Sequence, residues 1–78
     1  MDGQMKYTPL DIGRLARQTR RDLGVTQRDL ALTSGTGLRF IIELEKGKET
    51  AEIGKVLTVL QTLGIQITLT PPATRRQG

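Results

Sequence analysis

Residues 26–47 read TQRDLALTSGTGLRFIIELEKG, and this stretch decides the fold of the chain. Thr26 is placed to cap a short helix, because its hydroxyl can accept a hydrogen bond from a free backbone N–H of the first turn. Asp29, three residues later, completes a variant of the capping box. Gly35 and Gly37 then allow the positive φ angles that end one helix and turn sharply into the next. The pattern predicts two short helices joined by a glycine-containing turn.

One side of the second helix is predicted to be buried, since apolar residues recur there at helical spacing: Leu38, Ile41 and Leu44. The opposite side carries charged residues: Arg39, Glu43 and Lys46. This arrangement is the plan of a helix-turn-helix, in which the second helix can enter the major groove of DNA.

The composition limits the chain to one small domain. Seventy-eight residues with only two aromatics, Tyr7 and Phe40, must build a core from Leu, Ile, Val and Ala. Such a core is small, and dimerisation is a common way to add to it. The net charge of +4 and the pI of about 10.1 favour a polyanionic partner, although a small domain can reach this charge without one.

Cysteine and histidine are both absent from the sequence. Their absence excludes disulfides, structural zinc sites of the usual kind and most nucleophilic triads. Glu43 and Glu45 are too close in sequence to share one face of a helix, so they do not form a catalytic pair. The sequence also lacks a long apolar run. We therefore expect a cytoplasmic protein, not bound to a membrane, that is not an enzyme and uses no cofactor or metal.

Two further helices are predicted around this motif, which makes the chain mainly α. The first should run from about residue 9 to residue 23, with Thr8 as its cap and Pro9 in its first turn. Its apolar stripe is Ile12, Leu15, Ala16, Thr19 and Leu23. The arginines opposite form a solvated face or reach DNA phosphates. The last helix should cover residues 51–63, with a stripe of Ile53, Val56, Leu57, Leu60 and Leu63. Gly54 weakens that helix, a cost that close packing would explain.

The residues after the last helix change period. Residues 65–70 read IQITLT and alternate apolar with polar residues, which predicts a β-strand that Pro71 and Pro72 end. No other segment resembles a strand, so this one would pair antiparallel with its copy across a two-fold axis, through Ile65, Ile67 and Leu69. The alternative is an extended tail that packs on its own core. We expect the domain to span residues 8–70, between a frayed end at 1–7 and a disordered tail at 71–78.

The segments VTQRDLA and IIELEKGK, with a turn glycine between them, resemble the Cro/repressor (XRE) type of helix-turn-helix over residues 15–64. The resemblance implies a compact, lambda-repressor-like DNA-binding domain of four to five helices. The ending RFIIELEKGKETAEIGKVLTVLQTLGIQITL is similar to HipB-type antitoxins, in which a terminal strand pairs in the dimer. Those proteins partner a HipA-type serine/threonine kinase toxin and repress their own operon. The resemblance therefore implies a homodimer on a palindromic double-stranded operator, with such a toxin as partner.

Roles follow from the resemblance position by position. The expected base contacts are Leu38, Arg39 and Glu43, and the expected phosphate contacts are Arg17, Gln27, Arg28, Lys46 and Lys48. The planar fork of Arg39 can bind guanine O6 and N7 together, whereas Glu43 would accept from cytosine N4 or hold a nearby arginine. Arg20 and Glu45 match a buried structural ion pair and are excluded from the DNA contacts.

The sequence departs from the family pattern at the start of the second motif helix. Gly37 stands where a Ser or Thr usually caps this helix, and Leu38 stands where a polar base reader is common. Phe40 and Ile42 either touch thymine methyl groups or pack within the protein. The antitoxin has two alternatives: a stand-alone transcriptional regulator, and a protein-interaction adaptor with a helix-turn-helix shape and no DNA role. The apolar Leu38, Phe40 and Ile42 keep the adaptor open.

Overall fold

Four helices follow one another along residues 7–73, the part of the chain that this computed structural model describes. They are α1 (Pro9–Asp22), α2 (Gln27–Ser34), α3 (Leu38–Glu45) and α4 (Ile53–Thr62). α3 packs against both α1 and α2, and α4 packs against α2. None of the four has the combination of length and hydrophobicity needed to span a bilayer. The prediction of a mainly α fold is confirmed.

The starts of α1 and α2 are fixed by the same local device. Thr8 and Asp11 form a reciprocal capping box, with hydrogen bonds of 3.2 and 3.0 Å between each side chain and the other residue's backbone N–H. Thr26 and Asp29 form the second box, at 3.0 and 3.3 Å, as predicted from their spacing. Each box satisfies two backbone donors that a helix start leaves without partners. Local sequence therefore sets where these helices begin.

The core is built from aliphatic residues of all four helices. The buried members are Ala16, Leu30, Ala31, Ile41, Leu44, Val59, Leu60 and Leu63. Ile12, Val25, Phe40, Val56 and Ile65 pack against this cluster from its edge. The small number of aromatic residues in the sequence had predicted such a core.

The buried side of α1 differs from the predicted stripe. Ala16 is buried as predicted, but Leu15 and Leu23 expose 52% and 58% of their surface, and Gly13 and Arg20 are buried beside Ala16. Gly13 explains the difference, because a methyl group there would collide with the Leu44 carbonyl oxygen. The backbone of α1 lies directly against the end of α3, and this contact turns α1 away from the orientation that its leucines would favour.

The last helix is shorter than predicted. α4 begins at Ile53, after a cap at Glu52 whose side chain makes no capping hydrogen bond. Ile53 and Leu57, which were expected to be buried, expose 72% and 47% of their surface. Close packing does not explain Gly54, since a methyl group at this position would meet nothing within 4 Å.

The predicted strand at residues 65–70 does not form within the single chain. These residues have no regular secondary structure, and no strand occurs within residues 7–73. Ile65 donates its N–H to the Leu60 carbonyl at 2.9 Å and is half-buried, whereas Ile67 and Leu69 are exposed. A strand requires a hydrogen-bonded neighbour, and one copy of the chain offers none. The expected frayed and disordered ends lie almost entirely outside the described residues.

We predict opposite stability effects at two helical glycines. Gly13→Ala should lower the free energy of unfolding by about 1–3 kcal/mol, because the methyl group meets backbone that cannot move without displacing α3. Gly54→Ala is the matched control and should raise it by up to about 1 kcal/mol, since the position is open. Urea denaturation followed by far-UV circular dichroism measures both. Equal effects at the two positions would contradict the contact between α1 and α3.

Candidate nucleic-acid interface

The outer face of α3 is charged. Its buried residues, Ile41, Leu44 and Glu45, lie on one side of the helix. At 3.6 residues per turn, Arg39, Glu43 and Lys46 fall on the opposite side. Arg39 and Lys46 are exposed, and Glu43 is half-exposed. The helix therefore presents a short charged rod, about 12 Å long for eight residues.

A buried ion pair holds the end of this helix in place. Arg20 Nε donates to Glu45 Oε2 at 2.6 Å, and Arg20 Nη2 donates to Glu45 Oε1 at 3.1 Å. Only 11% and 3% of the two side chains are exposed. Arg20 Nη1 also donates to the Val25 carbonyl at 2.8 Å. The pair thus connects α1, the turn before α2 and the last residue of α3.

Gln27 adds α2 to the same network. Its Nε2 donates to Glu45 Oε1 at 3.1 Å, and the side chain is half-buried. The residue predicted to contact a phosphate therefore has one amide hydrogen engaged within the protein, which leaves the other hydrogen and the amide oxygen. The next residue, Arg28, is exposed.

The residues predicted to contact phosphates gather around the carboxyl end of α3. Arg17 lies four residues after Gly13 and three before Arg20, and both of these contact the end of α3. Residues three and four apart share one side of a helix, so Arg17 lies on the same side of α1 as Gly13 and Arg20. Its side chain is exposed. Gln27 and Lys46 adjoin the same end. Arg39 stands apart from this group, at the amino end of α3.

Glu43 and Lys48 form an ion pair that the sequence interpretation did not anticipate. Lys48 Nζ donates to Glu43 Oε1 at 2.9 Å, and the side chains are 45% and 36% exposed. This hydrogen bond is the main cause that holds the pKa of Glu43 below its usual value, and the nearby charges of Arg39 and Lys46 add to the effect. Glu43 had been assigned to a base and Lys48 to a phosphate, and the structure brings the two together.

The apolar residues of α3 divide between the surface and the core. Leu38 is 37% exposed beside Gly37, which makes no side-chain cap, as expected. Phe40 packs against the core, and Lys55 Nζ lies 5.9 Å from its ring centroid. Ile42 is half-buried. For Phe40, these contacts favour packing within the protein over contact with thymine methyl groups.

The sequence profile of a family described as "Helix-turn-helix domain" matches residues 13–69, more than half of the chain. The chain belongs to this helix-turn-helix family. Its type is the Cro/repressor (XRE) type, which confirms the resemblance read from residues 15–64. A curated relative, the "Uncharacterized HTH-type transcriptional regulator y4mF" of Sinorhizobium fredii, is 54% identical over 70 residues. That match covers 90% of this chain and 92% of the relative. The protein is accordingly a DNA-binding transcriptional regulator of the helix-turn-helix class.

Solved structures of HipB have the same fold. The "HipB-O4 20mer complex" superposes with a TM-score of 0.76 at 24% identity, over 90% of this chain and 99% of that one. The "HipA-HipB-O2-O3 complex" gives the same values. The "HipB-O1-O2 complex" gives a TM-score of 0.77 at 25% identity, over 87% of this chain and 99% of that one. The helix-turn-helix domain described above is thus HipB-like in its fold.

We predict that the buried ion pair contributes far more to stability than the exposed one. Arg20→Ala or Glu45→Ala should lower the free energy of unfolding by about 3–5 kcal/mol, because each change leaves a buried charge without its partner. Glu43→Ala, which breaks the exposed pair, is the control and should cost less than about 1 kcal/mol. Urea unfolding of the three variants gives the comparison. Similar losses for both pairs would mean that the network does not hold α3.

Proposed function

We propose that this chain is a homodimeric repressor that binds a palindromic operator in the cytoplasm, and that it is the HipB-like antitoxin of a HipA-type serine/threonine kinase toxin. The observation that carries the DNA-binding role is the outer face of α3. That face is charged and open to solvent, while the other side of the same helix is anchored in the core through Ile41, Leu44 and Glu45.

Each copy would place α3 in a major groove. Arg39 would donate two hydrogen bonds to guanine O6 and N7, with Glu43 and Leu38 beside it as the other base contacts. Contacts to phosphates would set the register of the protein on the duplex without reading sequence. They come from Arg17, Gln27, Arg28, Lys46 and Lys48. Transcription would be repressed by occlusion of the promoter.

The residues after α4 support a dimer. Within residues 7–73, the backbone groups of residues 66–70 make no main-chain hydrogen bonds. Ile67 and Leu69 expose 47% and 88% of their surface, and Ile67 lines a groove with Leu57 and Gln61 of α4. Backbone without main-chain hydrogen bonds, beside apolar side chains, is what a second copy would cover by antiparallel pairing. Two α3 helices would then meet half-sites about 34 Å apart.

The antitoxin role rests on likeness to HipB, which is solved together with HipA in one of the similar structures. As an antitoxin, the chain would hold the kinase by surface contact rather than by chemistry. A stand-alone regulator is the second candidate, because the curated relative is named as a transcriptional regulator. A kinase-like reading frame beside this one, whose product co-purifies with the chain, would support the antitoxin. A product that does not bind the chain would favour the stand-alone regulator.

We predict steeply salt-dependent binding to its own promoter region. With about 6–10 phosphate contacts per dimer, affinity should fall by about 10³–10⁵ between 50 and 200 mM salt. Arg39→Ala should reduce the preference for the best site by about 1–3 kcal/mol, whereas Lys46→Ala should weaken binding to all sequences alike. Binding titrations on promoter and random duplexes measure both effects. Flat salt dependence would favour an adaptor, and an unchanged preference in Arg39→Ala would refute its role as a base reader.

We also predict that residues 65–70 carry the dimer. Ile67→Asp together with Leu69→Asp should yield monomers, because the interface would bury four like charges, two from each copy. Leu32→Asp is the control, since Leu32 is 77% exposed on α2 and lies far along the chain from the paired segment. Sedimentation equilibrium determines the mass of each variant. A dimer that survives the double change would place the interface elsewhere.

A further inference from the structure

The turn that ends α3 brings two particular side chains together. Lys48 donates its backbone N–H to the Glu43 carbonyl at 3.1 Å, and Gly47 donates to the Leu44 carbonyl at 2.9 Å. These two bonds define a Schellman motif with Gly47 as its left-handed residue. In this motif the residues at the positions of Glu43 and Lys48 usually make an apolar contact. Here the contact is instead the ion pair of 2.9 Å.

The position of Lys48 is fixed by the packing of Gly47. The φ angle of Gly47 is +86°, a conformation that other residues rarely adopt. A Cβ atom at Gly47 would also lie 2.8 Å from the Leu10 Cα of α1. The turn therefore cannot take a larger residue without moving α1. As a result, Lys48 returns over Glu43 through both its backbone and its side chain.

We propose that Lys48 is a positioning residue for specificity: it orients the Glu43 carboxylate toward the base edge, so that base preference at one position of each half-site depends on Lys48. This inference rests on the proposed entry of α3 into the major groove. The base selected is one that offers an amino group to the carboxylate, and cytosine N4 is the usual donor to Glu.

The charges around Glu43 explain why its carboxylate needs Lys48 to orient it in the groove. A carboxylate that enters the groove is repelled by the phosphates, and the adjacent ammonium group of Lys48 offsets that repulsion. The lowered pKa keeps Glu43 ionised, so both of its oxygens are acceptors. Lys48 occupies Oε1 and leaves Oε2 for the base. Without Lys48 the side chain has no hydrogen-bonded partner in the described residues to fix its rotamer.

A lysine that only binds phosphate behaves differently. Its removal weakens binding to every sequence and reduces the slope of affinity against salt by about 0.9 per contact on logarithmic scales, or about 1.8 for the two copies of a dimer. A lysine that orients a base reader changes the ratio between sequences at one base pair. The two roles of Lys48 can therefore be separated by comparing duplexes that differ at single positions.

The test uses the full chain and a library of randomised duplexes to find the preferred site, followed by competition against duplexes with single base-pair changes. Lys48→Met removes the charge and keeps the aliphatic stem. Lys46→Met is the matched control on the neighbouring exposed lysine. Glu43→Gln leaves one acceptor oxygen, which Lys48 would hold, so the side chain would present an NH₂ donor to the base in place of an acceptor. Lys48→Arg retains a cation that can hold the Glu43 carboxylate. Circular dichroism checks that each variant keeps its helices.

We expect Glu43→Gln and Lys48→Met to lose preference at the same base pair, by about fivefold or more, since a good base contact discriminates by about 5- to 150-fold. The double variant should lose no more than Glu43→Gln alone. Lys46→Met should keep every preference, and Lys48→Arg should retain the preference of the original chain.

Two results would overturn the inference while leaving DNA binding intact. One is a uniform loss of affinity in Lys48→Met with all base preferences unchanged. The other is a Glu43→Gln variant that reads every position as the original chain does. Failure of the original chain to bind any duplex would overturn the proposed function itself.

Discussion

The bidentate ion pair between Arg20 and Glu45 is the constraint on which the rest of the structure depends. Two charges that are almost fully buried recover their lost hydration only if their geometry is good and their remaining hydrogen-bonding groups are satisfied. The chain meets this condition with two further bonds, from Arg20 to the Val25 carbonyl and from Gln27 to Glu45. Arg20 lies near the end of α1, Gln27 is the first residue of α2, and Glu45 is the last residue of α3. The requirement to satisfy one buried pair therefore fixes how α1, α2 and α3 sit relative to one another.

Much of the fold follows from signals that are local in sequence. The capping residues Thr8 and Thr26, and the glycines of the turn at residues 35–37, act within one helical turn, so their effect can be predicted without knowing the fold. The buried side of α1 could not be predicted, because it depends on a contact between Gly13 and residues about thirty positions away. The strand predicted at residues 65–70 does not form in the single chain for a related reason, since the hydrogen-bonding partner expected for it is a second copy.

The candidate interface likewise has features that local sequence predicts and features that depend on residues distant in the chain. Helical periodicity places Arg39, Glu43 and Lys46 outward on α3, and the structure has them there. The bond from Gln27 to Glu45 spans 18 positions and has no local signal. The pair of Glu43 and Lys48 does have one, because a glycine just after a helix predicts that the residues around it meet.

The direct contact of the α1 backbone with the end of α3 at Gly13 limits how a dimer can bind operators that differ in the spacing of their half-sites. With no side chain between the two helices, α3 has no side-chain rotamers through which to shift against α1, so we expect these two helices to move as one unit. In the proposed dimer, the spacing between the two copies of α3 is then set by the residues that follow α4. A change in the number of base pairs between half-sites would therefore alter the conformation of the residues after α4. The base-contacting face of α3 would stay unchanged.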